Sequence, residues 1–299
     1  MALHSIENDQ IKVTVADAGA ELVSVIDKDS GLERMWNADP AIWNRHAPIL
    51  FPFVGKVAGG EYRAGDRTYP MKSQHGFARD RDFELVEKTD RSITHRLTAD
   101  AASKEIYPYD FVLTVTHELG SDRLLKIIWK VENAGSEPMF YSIGGHPGFN
   151  VPAEPGRGER ADYYLEFPGK EKAEYLLLNT KTGLAVTDQV YSLPLEEGFA
   201  PIRKDMFDLD ALVFEDGQID CVRIADPDKK PFVSLYCEGF PYVGIWSKPE
   251  GPFVCLEPWL GRTDDDGFTG SIEEKTGEQE LAGGQSRTIS YSLEFHKQQ

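Results

Sequence analysis

Apolar and polar residues alternate with period two along most of this chain, as in strands with one face buried and the other wet. Residues 11–15 alternate, and 21–26 follow across Gly19 as the second arm of an opening hairpin. Residues 61–63 and 67–69 flank the turn Ala64-Gly65-Asp66, and 82–88 and 92–98 flank Thr89-Asp90-Arg91. Two long strands are predicted at 111–119 and 124–131, joined by Gly120-Ser121-Asp122. Further strands are predicted at 163–167, 211–215, 221–225, 232–237, 242–246, 253–256 and 288–295. Helical periodicity is confined to single turns at 38–43 and 103–107, limited by Pro40 and Pro108. Many short strands, closely spaced turns and no crossover helix predict antiparallel sheets packed face to face. The expectation is an all-β fold, one large antiparallel β-sandwich domain over residues 1–299. The polar stretch 154–160 reads as a loop rather than a linker, because strands resume on either side.

Some stretches depart from simple alternation. In Tyr141-Ser-Ile-Gly-Gly-His-Pro-Gly-Phe-Asn150, His146 stands between Gly144-Gly145 and Pro147-Gly148. Glycines admit unusual dihedrals and close approach of a ligand, and Pro147 pushes His146 towards an extended conformation. This setting aims an imidazole out of a strand end; it equally fits a tight turn whose histidine caps a carbonyl. Asn44-Arg45-His46-Ala47-Pro48 leads into the apolar run 49–55, a buried strand entered from an arginine. Gln74-His75-Gly76-Phe77-Ala78-Arg79 again sets a histidine against a glycine, and Asp210 stands at the mouth of a buried strand. Cys255-Leu256-Glu257-Pro258-Trp259 ends an apolar strand on a carboxylate with an aromatic beside it.

Each candidate has a plain structural alternative. Arg45 and Arg79 fit surface charges, Asp210 fits a turn cap, and Trp246 and Trp259 fit core positions. Glu257 resists such a reading, because buried carboxylates are rare without a partner or a function. Beside polar groups, the face of Trp246 suits the C–H face of a sugar. His4, His95, His117 and His296 read as exposed or alternating positions without a role. The run Asp264-Asp265-Asp266-Gly267 lacks EF-hand spacing and reads as a solvated loop rather than a calcium site.

Charge narrows the partners. A formal net charge of -18 disfavours nucleic acid and anionic membranes, although one basic pocket can still hold a phosphate. No apolar run approaches the ~18 residues of a membrane span, and the start shows no signal-peptide pattern. Cys221, Cys237 and Cys255 form no CxxC pair and sit in apolar stretches. They read as small buried side chains in a reducing, cytoplasmic setting.

Gln74-His75-Gly76-Phe77-Ala78-Arg79, Gly145-His146-Pro147-Gly148-Phe149-Asn150, Asp210-Ala-Leu-Val-Phe214 and Leu256-Glu257-Pro258-Trp259 occur in the order seen in aldose 1-epimerases (galactose mutarotases). The chain resembles the shorter bacterial branch of that family over nearly its whole length. The resemblance implies a β-sandwich with an open sugar-binding face, a small-molecule sugar as partner, and no metal or organic cofactor. It implies His146 as general acid, Glu257 as general base and His75 beside the ring oxygen, with Arg45 and Asp210 holding hydroxyls. Arg79 and Trp246 are expected in the wall of the same pocket. The Leu-Glu-Pro-Trp stretch differs from that of the galactose enzymes, which leaves the sugar open.

The residue types suit the chemistry without the family. Exchanging anomers requires a proton taken from the anomeric hydroxyl and one given to the ring oxygen. One carboxylate and one imidazole suffice, each contributing about 10²–10⁴-fold. Four readings are open: a mutarotase acting on a free hexose; the same chemistry on a hexose phosphate held by Arg45, Lys56, Arg79 or Arg262; a sugar-binding module without turnover; and a cupin-type metal triad of His75, His146 and Glu257. Against the last, no His-x-His or His-x-Asp pair is present.

Overall fold

The alternating stretches pair as antiparallel strands in the computed structural model, which describes residues 2–297. A nine-stranded sheet runs in the order Phe199–Pro201, Tyr164–Glu166, Cys221–Ala225, Pro231–Tyr236, Ser286–Phe295, Leu124–Asn133, Phe111–Leu119, Ser92–Thr98 and Glu84–Lys88. An eight-stranded sheet runs Ala185–Pro194, Lys172–Leu178, Leu212–Phe214, Tyr242–Trp246, Phe253–Leu260, Ile143–Gly145 and Ile49–Leu50; its eighth strand, Gly148–Asn150, pairs with Phe253–Leu260. Leu3–Glu7, Ile11–Ala16 and Leu22–Asp27 form a smaller sheet. Helix is confined to short turns, of which Ala101–Lys104 is capped by Asp100 accepting from the Ser103 amide at 2.6 Å. The turn expected at 103–107 thus begins two residues earlier.

One core joins the two large sheets, with Leu125, Ile127 and Trp129 on one side and Val243, Ile245 and Leu256 on the other. The strand Phe253–Leu260 departs from half-burial, since all eight of its residues are buried. Its side chains still alternate: Val254, Leu256 and Leu260 enter the main core, whereas Phe253, Cys255 and Trp259 join smaller apolar clusters on the opposite face. Neighbouring strands repeat the division, Leu212 and Phe214 pointing to the core and Val213 away from it. The eight-stranded sheet therefore carries a second apolar layer, which Trp36, Leu50 and Val54 complete. Glu257 shares the parity of that layer.

Several expectations change. Gly144 and Gly145 take no left-handed conformation; they make room for aromatic rings. A Cβ on Gly144 would stand 2.5 Å from Trp259 Cδ1, and one on Gly145 2.7 Å from the Tyr291 hydroxyl. His95 and His117 are buried rather than exposed, and His95 Nε2 meets Asp17 at 3.0 Å. The 264–267 run is not simply a solvated loop: Asp264 is buried 3.2 Å from Lys275, and Asp265 pairs with Arg262 at 2.6 Å. Cys237 and Cys255 are buried as expected, whereas Cys221 is half-buried. Among the described residues, no helix is long and apolar enough to cross a membrane.

Candidate active site

Strand pairing brings His146 to Glu257. Gly144 pairs with Trp259 and Gly148 with Cys255, so the turn between them is pinned on both sides of Glu257. His146 Nδ1 lies 3.4 Å from Glu257 Oε1. Both residues are buried, and neither His146 Nδ1 nor Glu257 Oε2 has a hydrogen-bond partner. Trp43 stacks on the His146 ring at 4.9 Å, and Trp246 meets it edge-on at 5.4 Å.

His75 arrives from a strained turn. Its φ of 66° is a left-handed value uncommon for residues other than glycine. Gly76 follows at φ 68°, where a Cβ would collide with the Phe51 carbonyl oxygen at 2.2 Å. The turn is fixed by two bonds: the His75 amide donates to Gly55 O at 2.7 Å, and the Gly55 amide donates to His75 Nδ1 at 3.0 Å. An accepting Nδ1 puts the proton of the neutral ring on Nε2. Gln74 Nε2 is placed 2.6 Å from that nitrogen; turning the side-chain amide over brings its oxygen there to accept the proton. The His75 and His146 rings meet edge-on at 5.6 Å.

His75, Arg79, His146, Asp210, Trp246 and Glu257 line one cavity of about 220 Å³. Arg79 donates to Gln74 O at 2.6 Å. Asp210 stands at φ 75°, where its carboxylate accepts from the Ala211 amide at 2.8 Å. Arg45 stays out of the lining: its guanidinium turns to Asp80 at 2.7 Å, and it reaches the two histidines only through its charge. Arg262, a candidate phosphate contact, is buried and paired with Glu215 and Asp265. The cavity also takes in Trp43 and Lys248, which the sequence reading passed over. Trp43 had one available signal, an aromatic two residues before Arg45.

Burial dominates the electrostatics. It pushes the Glu257 carboxyl well above the ordinary carboxylate range, and the negative charge of Asp210 adds to the effect. The Trp259 indole N–H acts in the opposite sense, although the two groups close no hydrogen bond of normal geometry. Burial, reinforced by the charge of Arg79, lowers His146 to about 3. His75 is likewise held well below the usual imidazole range by burial, then by His146 and Arg79. A neutral imidazole therefore faces a carboxyl group of raised proton affinity. The donor atoms of Glu257, His146 and Cys255 gather within 4.8 Å, while His75 is held by Gly55 and Gln74 outside that group.

The fold is an antiparallel β-sandwich with buried ionisable groups in a polar and aromatic cavity. Residues 2–266 match the aldose 1-epimerase family model, and the chain belongs to that family. It is 32% identical over 264 residues to the chromosomal LacX protein of Lactococcus lactis, covering 86% of this chain and 87% of the relative. A galactose mutarotase related enzyme from Lactobacillus acidophilus superposes with TM-score 0.93 at 34% identity, over 99% of this chain and 98% of that one. A galactose mutarotase-like protein from Lactobacillus casei gives TM-score 0.89 at 32% identity, over 99% and 100%.

Proposed function

We propose that this protein is a mutarotase that exchanges the α and β anomers of a hexose, with Glu257 and His146 moving the protons. The observation that carries the reading is the buried 3.4 Å contact between Glu257 Oε1 and His146 Nδ1 at the cavity wall. Ionised Glu257 takes the proton of the anomeric hydroxyl. His146, neutral and protonated on Nε2, gives that proton to the ring oxygen as the bond between the anomeric carbon and the ring oxygen breaks. Losing it alone would leave an imidazolate. The balance closes because Glu257 now carries a proton beside Nδ1 and passes it on, so the carboxylate and a neutral imidazole are restored. The freed aldehyde turns about its bond to C2, and the reverse transfers close the ring on the other face. His75, its proton on Nε2, donates to a sugar oxygen once the sugar displaces the Gln74 amide from it; Asp210 and Arg79 hold hydroxyls, and Trp246 offers an apolar face.

A second reading keeps this chemistry on a hexose phosphate. It is favoured by Lys56, whose side chain lies against Gly183 and forms no ion pair among the described residues. Arg79 and Lys248 share the cavity, inside a chain of net charge -18. Polarimetry on anomerically pure hexoses and their 6-phosphates tests both. Exchange faster than buffer is expected with at least one of them, whereas binding without acceleration would make the protein a sugar-binding module. Lys56→Ala should raise KM at least about tenfold for the phosphate and little for the free sugar if the phosphate is the substrate. Equal effects would leave the free hexose.

A further inference from the structure

We propose that Cys255 Sγ, His146 Nδ1 and the Glu257 carboxylate form a binding site for one thiophilic divalent cation, such as Zn²⁺, and that its occupancy switches the sugar site off. Their donor atoms lie within 4.8 Å of one another, and all three residues are buried. Strand alternation puts Cys255 and Glu257 on one face of Phe253–Leu260, and the pinned turn brings His146 over them. The 3.4 Å between Nδ1 and Oε1 matches the edge of a tetrahedron, roughly 3.3 Å for bonds of ~2.0–2.1 Å. Buried polar atoms are normally satisfied. Here His146 Nδ1 has no partner, and a cation would satisfy it.

The donor set selects the metal. A thiolate, an imidazole and a carboxylate suit Zn²⁺ or Cd²⁺ and disfavour Mg²⁺ and Ca²⁺, which prefer all-oxygen shells. Binding releases the thiol proton, and any proton on the Glu257 carboxyl, to solvent, and the two anionic ligands then neutralise the ion, which favours an apolar setting. His146 and Glu257 line the cavity, giving the cation its entry and leaving the fourth position towards the sugar. A cation there occupies the base and the Nδ1 lone pair. The inhibition thus rests on the proposed mutarotase mechanism, while binding itself does not.

The test titrates metal-free protein with Zn²⁺ by calorimetry and with Cd²⁺ by ultraviolet absorption. One cation per chain and a thiolate-to-cadmium charge-transfer band are expected. Cys255→Ala should lower affinity by about 10²-fold or more and abolish the band. It should retain metal-free turnover within roughly threefold, and Cys255→Ser repeats the test should the alanine variant not fold. Wild-type turnover should fall in step with occupancy and return on adding EDTA, with the Ala variant resistant. Binding without the band that survives Cys255→Ala but is lost in His4→Gln would place the ion in the His4, Asp17 and His95 cluster and overturn the proposal. Absence of binding would overturn it too. A thiolate-bound ion in a protein without turnover on any sugar would uphold the site and reject the mutarotase reading instead.

Discussion

In the proposed mechanism Glu257 takes a proton only when ionised, so its raised pKa would set the acid limb of the reaction. With the pKa displaced upward, the carboxyl stays protonated over a wider acid range, and activity develops as pH rises through the displaced value. The Asp210 charge contributes to that displacement. Asp210→Asn removes a like charge, so the limb of kcat/KM should move to lower pH, modestly because Asp210 is exposed and screened. The midpoint, rather than the height of the profile, is the reading, since Asp210 also lines the sugar cavity. An unmoved midpoint would mean that its charge does not reach Glu257. His146, at about 3, stays neutral over the whole limb. Local sequence was enough to single out Glu257, a carboxylate inside an apolar run, whereas His146 stood out by its glycine and proline setting and fitted a turn cap equally well. His117 carried a signal that went unused: it shares the parity of the buried Phe111, Leu113, Val115 and Leu119. Arg45 was not, because the direction of a long flexible side chain depends on a partner, Asp80, distant in sequence.

At the scale of elements, Phe253–Leu260 does two jobs by alternation, core on one face and site on the other. Glycines on its neighbours make this possible. A Cβ on Gly244, which pairs with Glu257, would stand 2.2 Å from Trp259 Cζ2. Overpacking of this kind costs about 1–3 kcal/mol. Gly244→Ala should lower the denaturant midpoint accordingly and reduce kcat by displacing Trp259 against the Glu257 strand. A variant with unchanged midpoint and turnover would show that Trp259 has room to move. The opening hairpin and the long strands were readable because one face of each is wet. Ala185–Pro194 escaped notice because most of its residues are at least half-exposed, which erases the alternation. The buried strand was readable only as an apolar run, and its last four residues lay beyond the predicted end.

At the scale of the molecule, the antiparallel sandwich followed from composition and period, whereas the order of its strands did not. Pro231–Tyr236 lies beside Ser286–Phe295, and Phe111–Leu119 beside Ser92–Thr98, through pairings that depend on the packing of the whole core. The cavity inherits this dependence, since it collects residues from Trp43 to Thr263. The central claim is that this assembly works through Glu257 as a base, and the most direct measurement compares wild type with Glu257→Gln for anomer exchange and sugar affinity together. The amide keeps the size and much of the hydrogen bonding, so affinity should fall by no more than about 1–3 kcal/mol. The rate constant should fall by about 10²–10⁴-fold, the loss appearing in kcat. A Gln variant that exchanges anomers as fast as the wild type would contradict the account.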